Sequence, residues 1–254
     1  MPPDAGLSPD AMTAEFRRAI EQARTGIGQI VESFNSIVEK VHDWGLLAGG
    51  AVLLWAKEKL DEFRTKLVEL VGKAQHMVEH STPIVSLIIT SFEWLERVQK
   101  PATGVAGQIA VKGDRLVYWK GAAAETYGAK LPFQQAATSD MAAKADFIST
   151  WLFTIAKANV DYARSLGSYV SEIAGGLISA AATATTVIGI PWAIDQLAKI
   201  VGGLVTKALD DTMNMASRLV EVLKSARDAK ASVNNVEKLA GPPVGTWPQA
   251  VNVV

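Results

Sequence analysis

Between Phe16 and Val41 the apolar residues Phe16, Ile20, Ala23, Ile27, Ile30, Phe34, Ile37 and Val41 recur at alternating intervals of four and three. That spacing keeps them on one stripe of an α-helix and predicts a seam of coiled-coil type. Ser8-Pro9-Asp10 precedes the seam, with proline suited to a first turn, and predicts a helix start near residue 9. Trp44-Gly45 and Gly49-Gly50 are expected to loosen or end this helix. A second seam follows as Leu53, Ala56, Leu60, Phe63, Leu67, Leu70, Ala74 and Met77, with Lys57, Glu58, Lys59, Asp61 and Glu62 on its other face. Two such seams close together predict an antiparallel helical hairpin. Thr82-Pro83 then interrupts the pattern, and Ile84 to Val98 reads as a shorter helix ending before Lys100-Pro101.

The centre is less regular. Ala102 to Tyr118 holds Gly104, Gly107 and Gly113, yet Val105, Ile109, Leu116 and Trp119 still fit one helical face. From Ala122 to about Ser171, apolar points at Phe133, Met141, Phe147, Trp151, Ile155 and Val160 predict one long helix, kinked at Pro132. An uncharged run, Ile173 to Ile194, lies between Glu172 and Asp195. If wholly helical it would span roughly 33 Å, close to a bilayer core. It is rich in Ala, Gly, Ser and Thr, which favour close helix contact over insertion. The expectation is therefore burial of Ile173 to Trp192 in a hairpin or oligomer tip that turns near Gly189-Ile190-Pro191. Membrane contact is conditional and would fall on Ile173, Leu177, Ile178, Val187, Ile188, Ile190 and Trp192. Leu204, Ala208, Met215, Leu219, Val222, Ala226, Ala229, Val233 and Val236 trace a last helix to about Leu239, and Gly241-Pro242-Pro243 with Pro248 marks a loose tail.

No strand-like alternation stands out, so the predicted fold is all-α: an elongated bundle of long, antiparallel, coiled-coil-like helices with a central Trp-x-Gly hairpin. The expected divisions are 1–100, 101–172, 173–239 and the tail 240–254, within one cooperative helical domain.

Composition narrows what such a fold does. At 254 residues, 49% hydrophobic and 20% charged, the chain is too apolar to be disordered. Its 25 basic residues against 26 acidic ones form no basic cluster, which argues against nucleic acid as a partner. Cysteine is absent, removing disulfides, thiol nucleophiles and thiolate metal sites. Met1 to Asp10 has no basic stretch followed by an apolar one, so no Sec-type signal peptide is expected there.

Tyr118-Trp119-Lys120-Gly121, followed by three alanines, Glu125, Thr126 and Tyr127, resembles the hairpin turn of the WXG family of type VII (ESX) secretion substrates. Glycine tolerates the backbone of a chain reversal, alanines let helices approach, and the indole packs in its own hairpin or a partner's groove. The similarity extends through Phe133-Gln134-Gln135-Ala136-Ala137 to Ala158-Asn159-Val160-Asp161-Tyr162, about residues 84 to 172, and suggests a longer, Esp-like member. In the family a Tyr-x-x-x-Asp/Glu signal follows the second helix. Tyr162 lies about where that Tyr would be, but Leu166 takes the acid position; Tyr169 has Glu172 three residues on and Ile173 at the fourth. The resemblance implies a partner or secretion feature at Trp119, Gly121, Tyr127, Tyr162, Tyr169 and Glu172. It implies export or surface display by a route independent of a signal peptide, from a soluble cytoplasmic state. It also implies a protein partner: a second copy in a homo-oligomer, a WXG-type protein or a secretion chaperone.

The chemistry alternatives are few. His76-Met77-Val78-Glu79-His80 has the spacing in which two histidines one helical turn apart hold zinc and a glutamate acts as base. A catalytic site needs a third protein ligand, and the sequence names none; a helix end before Thr82-Pro83 also favours histidine against the helix dipole. No nucleophile elbow, phosphate loop or dinucleotide fingerprint is present. No cofactor and no enzymatic activity are expected. The rival functional reading is an α-helical pore-forming or membrane-interacting protein that inserts segment 173–194.

Overall fold

The computed structural model describes residues 8–48, 50–110, 118–186 and 189–235. Among these the fold is all-α, with no strand. Helix α1 (Pro9–Ala48) starts as its sequence predicts: the Ser8 hydroxyl accepts from the Ala11 amide at 3.1 Å and Pro9 occupies the first turn. Helix α2 is Gly50–Glu79, and α3, Thr82–Glu93, takes Pro83 into its own first turn.

The chain does not stop before Lys100-Pro101. It widens into a π-helical turn, Trp94–Gln99, in which the Lys100 amide reaches back five residues to Leu95 O, and continues as α4, Lys100–Ala110. Proline deprives a helix of one hydrogen bond and crowds the carbonyl four residues earlier; a widened turn just upstream accommodates both. Residues 111–117 of the expected central helix lie outside the described residues. Helix α5, Ala122–Thr183, runs through Pro132 and well past Ser171. The uncharged run is then broken at Ala184 to Thr186, five residues before the expected bend, and α6 begins at Gly189 with Pro191 in its first turn. A second π-turn, Val201–Val205, leads into α7, Thr206–Asn234.

The chain divides into two compact units. One contains residues 87–155 and those from 219 onward. In it Ser149 Oγ donates to Ser91 O at 2.7 Å, Phe92 meets Phe153 edge-on at 5.8 Å, and the Trp151 indole donates to Val222 O at 3.3 Å. The other contains residues 6–86 and 156–218 and holds a large apolar core built from α1, α2, α5, α6 and the start of α7 with the π-turn before it. Within it Phe34 and Phe63 stack at 5.8 Å. They lie nearly equal distances along the chain from residue 49, so α2 folds back along α1.

The α1 seam is wider than its large residues suggest. Met12, Phe16, Ala19, Ala23, Gly26, Ile30, Ser33 and Ile37 are buried at strict four-three spacing, while Ile20 and Val41 are buried on the column beside them. The small members of that row let α5 come close. A Cβ at Gly167 would sit 2.9 Å from the backbone oxygen of Ala19, and one at Gly26 would lie 2.6 Å from Val170 Cγ1. Arg164 pairs with Glu15 at 3.0 Å along the same contact, and Lys40 donates to Ala181 O at 2.7 Å.

Candidate functional site

The Trp-x-Gly segment lies in the first unit as the lead-in to α5. Tyr118 and Trp119 are exposed, Trp119 to 43%, and neither Trp119 nor Lys120 is helical. Gly121 has φ +103°, with open space where a Cβ would be. The restriction to glycine there is thus conformational rather than steric. Its carbonyl accepts from the Glu125 amide at 3.1 Å and so opens the helix. The Trp119 and Tyr127 rings lie 5.6 Å apart at a 50° tilt, so the aromatic pair is assembled by one turn of chain and the start of one helix. Whether the chain before it completes a hairpin falls on residues 111–117, outside the described set. Phe133 and Met141, farther along α5, are also exposed.

The tyrosines and the acid of the second half of the motif lie in the other unit. Tyr162 is half-buried, and Leu166, at the expected acid position, is fully buried in the core. Tyr169 donates its hydroxyl to Asp211 Oδ2 at 2.7 Å, with the Lys207 ammonium 5.7 Å from the ring centroid. The hydrogen bond to Asp211, partial burial and the charges of Asp211 and Glu172 push the phenol up to about 12. Glu172 itself is exposed. Tyr169 is thereby a tie between α5 and α7, a role that its partner 42 positions away concealed from the sequence.

The uncharged run forms the α5–α6 corner. Ile173, Leu177 and Ile190 are buried in the core, whereas Ile178 is 48% and Trp192 61% exposed; Val187 and Ile188 lie outside the described residues. The corner is closed by the Gly189 amide donating to Thr186 O at 3.0 Å and by Thr185 Oγ1 donating to Ala182 O at 3.0 Å. Among the described residues no helix is long and apolar enough to cross a membrane.

His76 and His80 stack at 4.1 Å, and a ring nitrogen of His80 meets His76 O at 2.8 Å. Among the described residues no group of three His, Cys, Asp or Glu side chains is placed to hold a metal. The His-x-x-Glu-His spacing here ends a helix.

A further feature is not apparent from the hydrophobic seams alone. The α1–α2 pair carries an open groove of about 810 Å³, lined on α1 by Val31, Asn35 and Val38 and on α2 by Asp61, Arg64 and Val68. Its signal was present in the seven-residue interval between Val31 and Val38, just beside the main seam.

No protein family, curated protein or solved structure matches this chain.

Proposed function

We propose that this chain is a secreted or secretion-associated interaction protein of a type VII system, acting through helix packing with a second copy or with a WXG-type partner. The observation that carries this reading is the lead-in to α5, where a glycine at positive φ holds an exposed tryptophan against Tyr127. An indole left part open beside a glycine turn suits a partner's groove, where aromatic anchors contribute much of the binding energy. The export signal is the weaker half of the resemblance, because Tyr169 is already engaged by Asp211. A signal borrowed from a co-exported partner fits the engaged tyrosine. The test is Trp119→Ala in a type VII host: it should reduce export or partner capture severalfold while helix content by circular dichroism stays unchanged. Export at the wild-type level would remove the basis for the reading.

A second reading, conditional membrane contact at the α5–α6 corner, is favoured by the exposure of Ile178 and Trp192 within a run that carries no charge. Tryptophan suits the bilayer interface, and an amphipathic corner can lodge there without spanning. Dye release from anionic liposomes, after acidification or partner addition, should then fall when Lys replaces the exposed Thr185. Release unaffected by that change, or none under any condition, would count against it.

A further inference from the structure

We infer that the groove between α1 and α2 is the seat of a second copy of this chain, joined across a two-fold axis into a four-helix dimer. The inference deepens the reading of the chain as a helix-packing protein and rests on it for the functional meaning of self-association. The groove is apolar and open, with Val31 48% and Val38 39% exposed on its α1 wall. On a single copy these side chains remain wet although they sit beside a continuous core, and a facing helix pair would cover them.

Position along the hairpin identifies the occupant. The Phe34–Phe63 stack sets those two residues at one level. Place a two-fold axis at that level, perpendicular to the helices and just outside the groove, passing over α1 between Phe34 and Asn35 and over α2 between Glu62 and Phe63. On α1, Val31 then faces the partner's Val38, and Val38 faces the partner's Val31. On α2, Asp61 faces the partner's Arg64 and Arg64 the partner's Asp61, while the Lys57 stem lies over the partner's Val68. Every residue in these pairs lines the groove. Apolar thus meets apolar and acid meets base in both directions about one axis, as an isologous interface requires. Asn35 falls beside the axis, where its amide can both donate to and accept from the partner's Asn35. A polar pair in an apolar seam of this kind fixes register between helices. An unrelated helical partner would not demand that the α1 and α2 patterns share a centre.

The experiment measures mass by sedimentation equilibrium with the full chain, over about 1 to 100 µM, where a modest interface of this type should populate dimer. Wild-type protein should dimerise. Asp61→Arg sets Arg against arginine twice across the axis, and Arg64→Asp sets acid against acid twice; each alone should weaken the dimer at least about tenfold. An equimolar mixture of the two variants restores opposite charges at both pairs and should recover mass as a heterodimer. Both positions are exposed, so the fold should persist, and the mixture shows in any case that each variant is competent. A monomeric wild type, variants that dimerise as the wild type does, or a mixture that stays monomeric would each overturn the assignment. Export is read separately from culture supernatant, so the dimer and the secretion reading can fail independently.

Discussion

The Tyr169 phenol is held in its neutral form by the bond it donates to Asp211, and this has a consequence in alkali. Its ordinary value of 10.0 is raised to about 12, so the protonated ring stabilises the folded chain. That contribution is fully present below pH 10 and is lost as the pH climbs from about 10 to about 12, because only the unfolded chain then releases its proton easily. Titrating phenolate absorbance should show one of the four tyrosines ionising about two units above its ordinary value. Tyr169→Phe should remove that last step and flatten the loss of stability in the same window. Retention of the late step in the variant would assign it to another tyrosine. At the same scale, Gly121 shows a residue legible from sequence alone: a glycine after Trp-x predicted an unusual backbone, and φ +103° is what it adopts. The tie between Tyr169 and Asp211 was not legible, because nothing local in either helix marks the other as neighbour.

At the scale of elements, α1 and α2 were readable because large apolar residues repeat at helical intervals with charge between them. Ala56, Leu60, Phe63, Leu67, Leu70 and Ala74, named from spacing, are all buried. A sequence pattern is least informative where a helix absorbs an irregularity. Pro101 looked like a stop, yet a widened turn over Trp94–Gln99 carries the chain through it, and no residue pattern advertises that ability. The corner after α5 was placed too late because Ala and Thr carry little turn signal, while Gly189 and Pro191 carry a strong one. Here glycine and proline open the next helix instead of ending the last. The row Ala19, Gly26 and Ser33 is hard to read from sequence for a related reason. Small residues score low as hydrophobes, though their smallness admits a neighbouring helix.

For the whole molecule, net charge near zero and a lack of cysteine leave stability to burial, and the approach of α5 to α1 reaches far along the chain. The Phe34–Phe63 contact closes a loop of 29 residues, whereas the Arg164–Glu15 contact closes one of 149. Loop-closure entropy makes the second about 1.4 kcal/mol more costly, so the expected order is that the hairpin of α1 and α2 forms first and α5 then docks onto it. Gly167 of α5 meets that surface at the backbone oxygen of Ala19, which cannot move aside cheaply. Gly167→Leu should destabilise the protein by about 1 to 3 kcal/mol through overpacking. This order predicts two phases in stopped-flow refolding, a fast one that Gly167→Leu leaves alone and a slow docking one that it alters; a single phase, or equal effects on both, would contradict it. During synthesis, therefore, the α1–α2 pair, complete at Glu79, waits 85 residues (164 − 79) before the part of α5 that packs on it, from Arg164 onward, begins to exist. Throughout that interval the narrow face made for α5, with Ala19, Ala23 and Gly26 along it, is open to whatever meets the nascent chain.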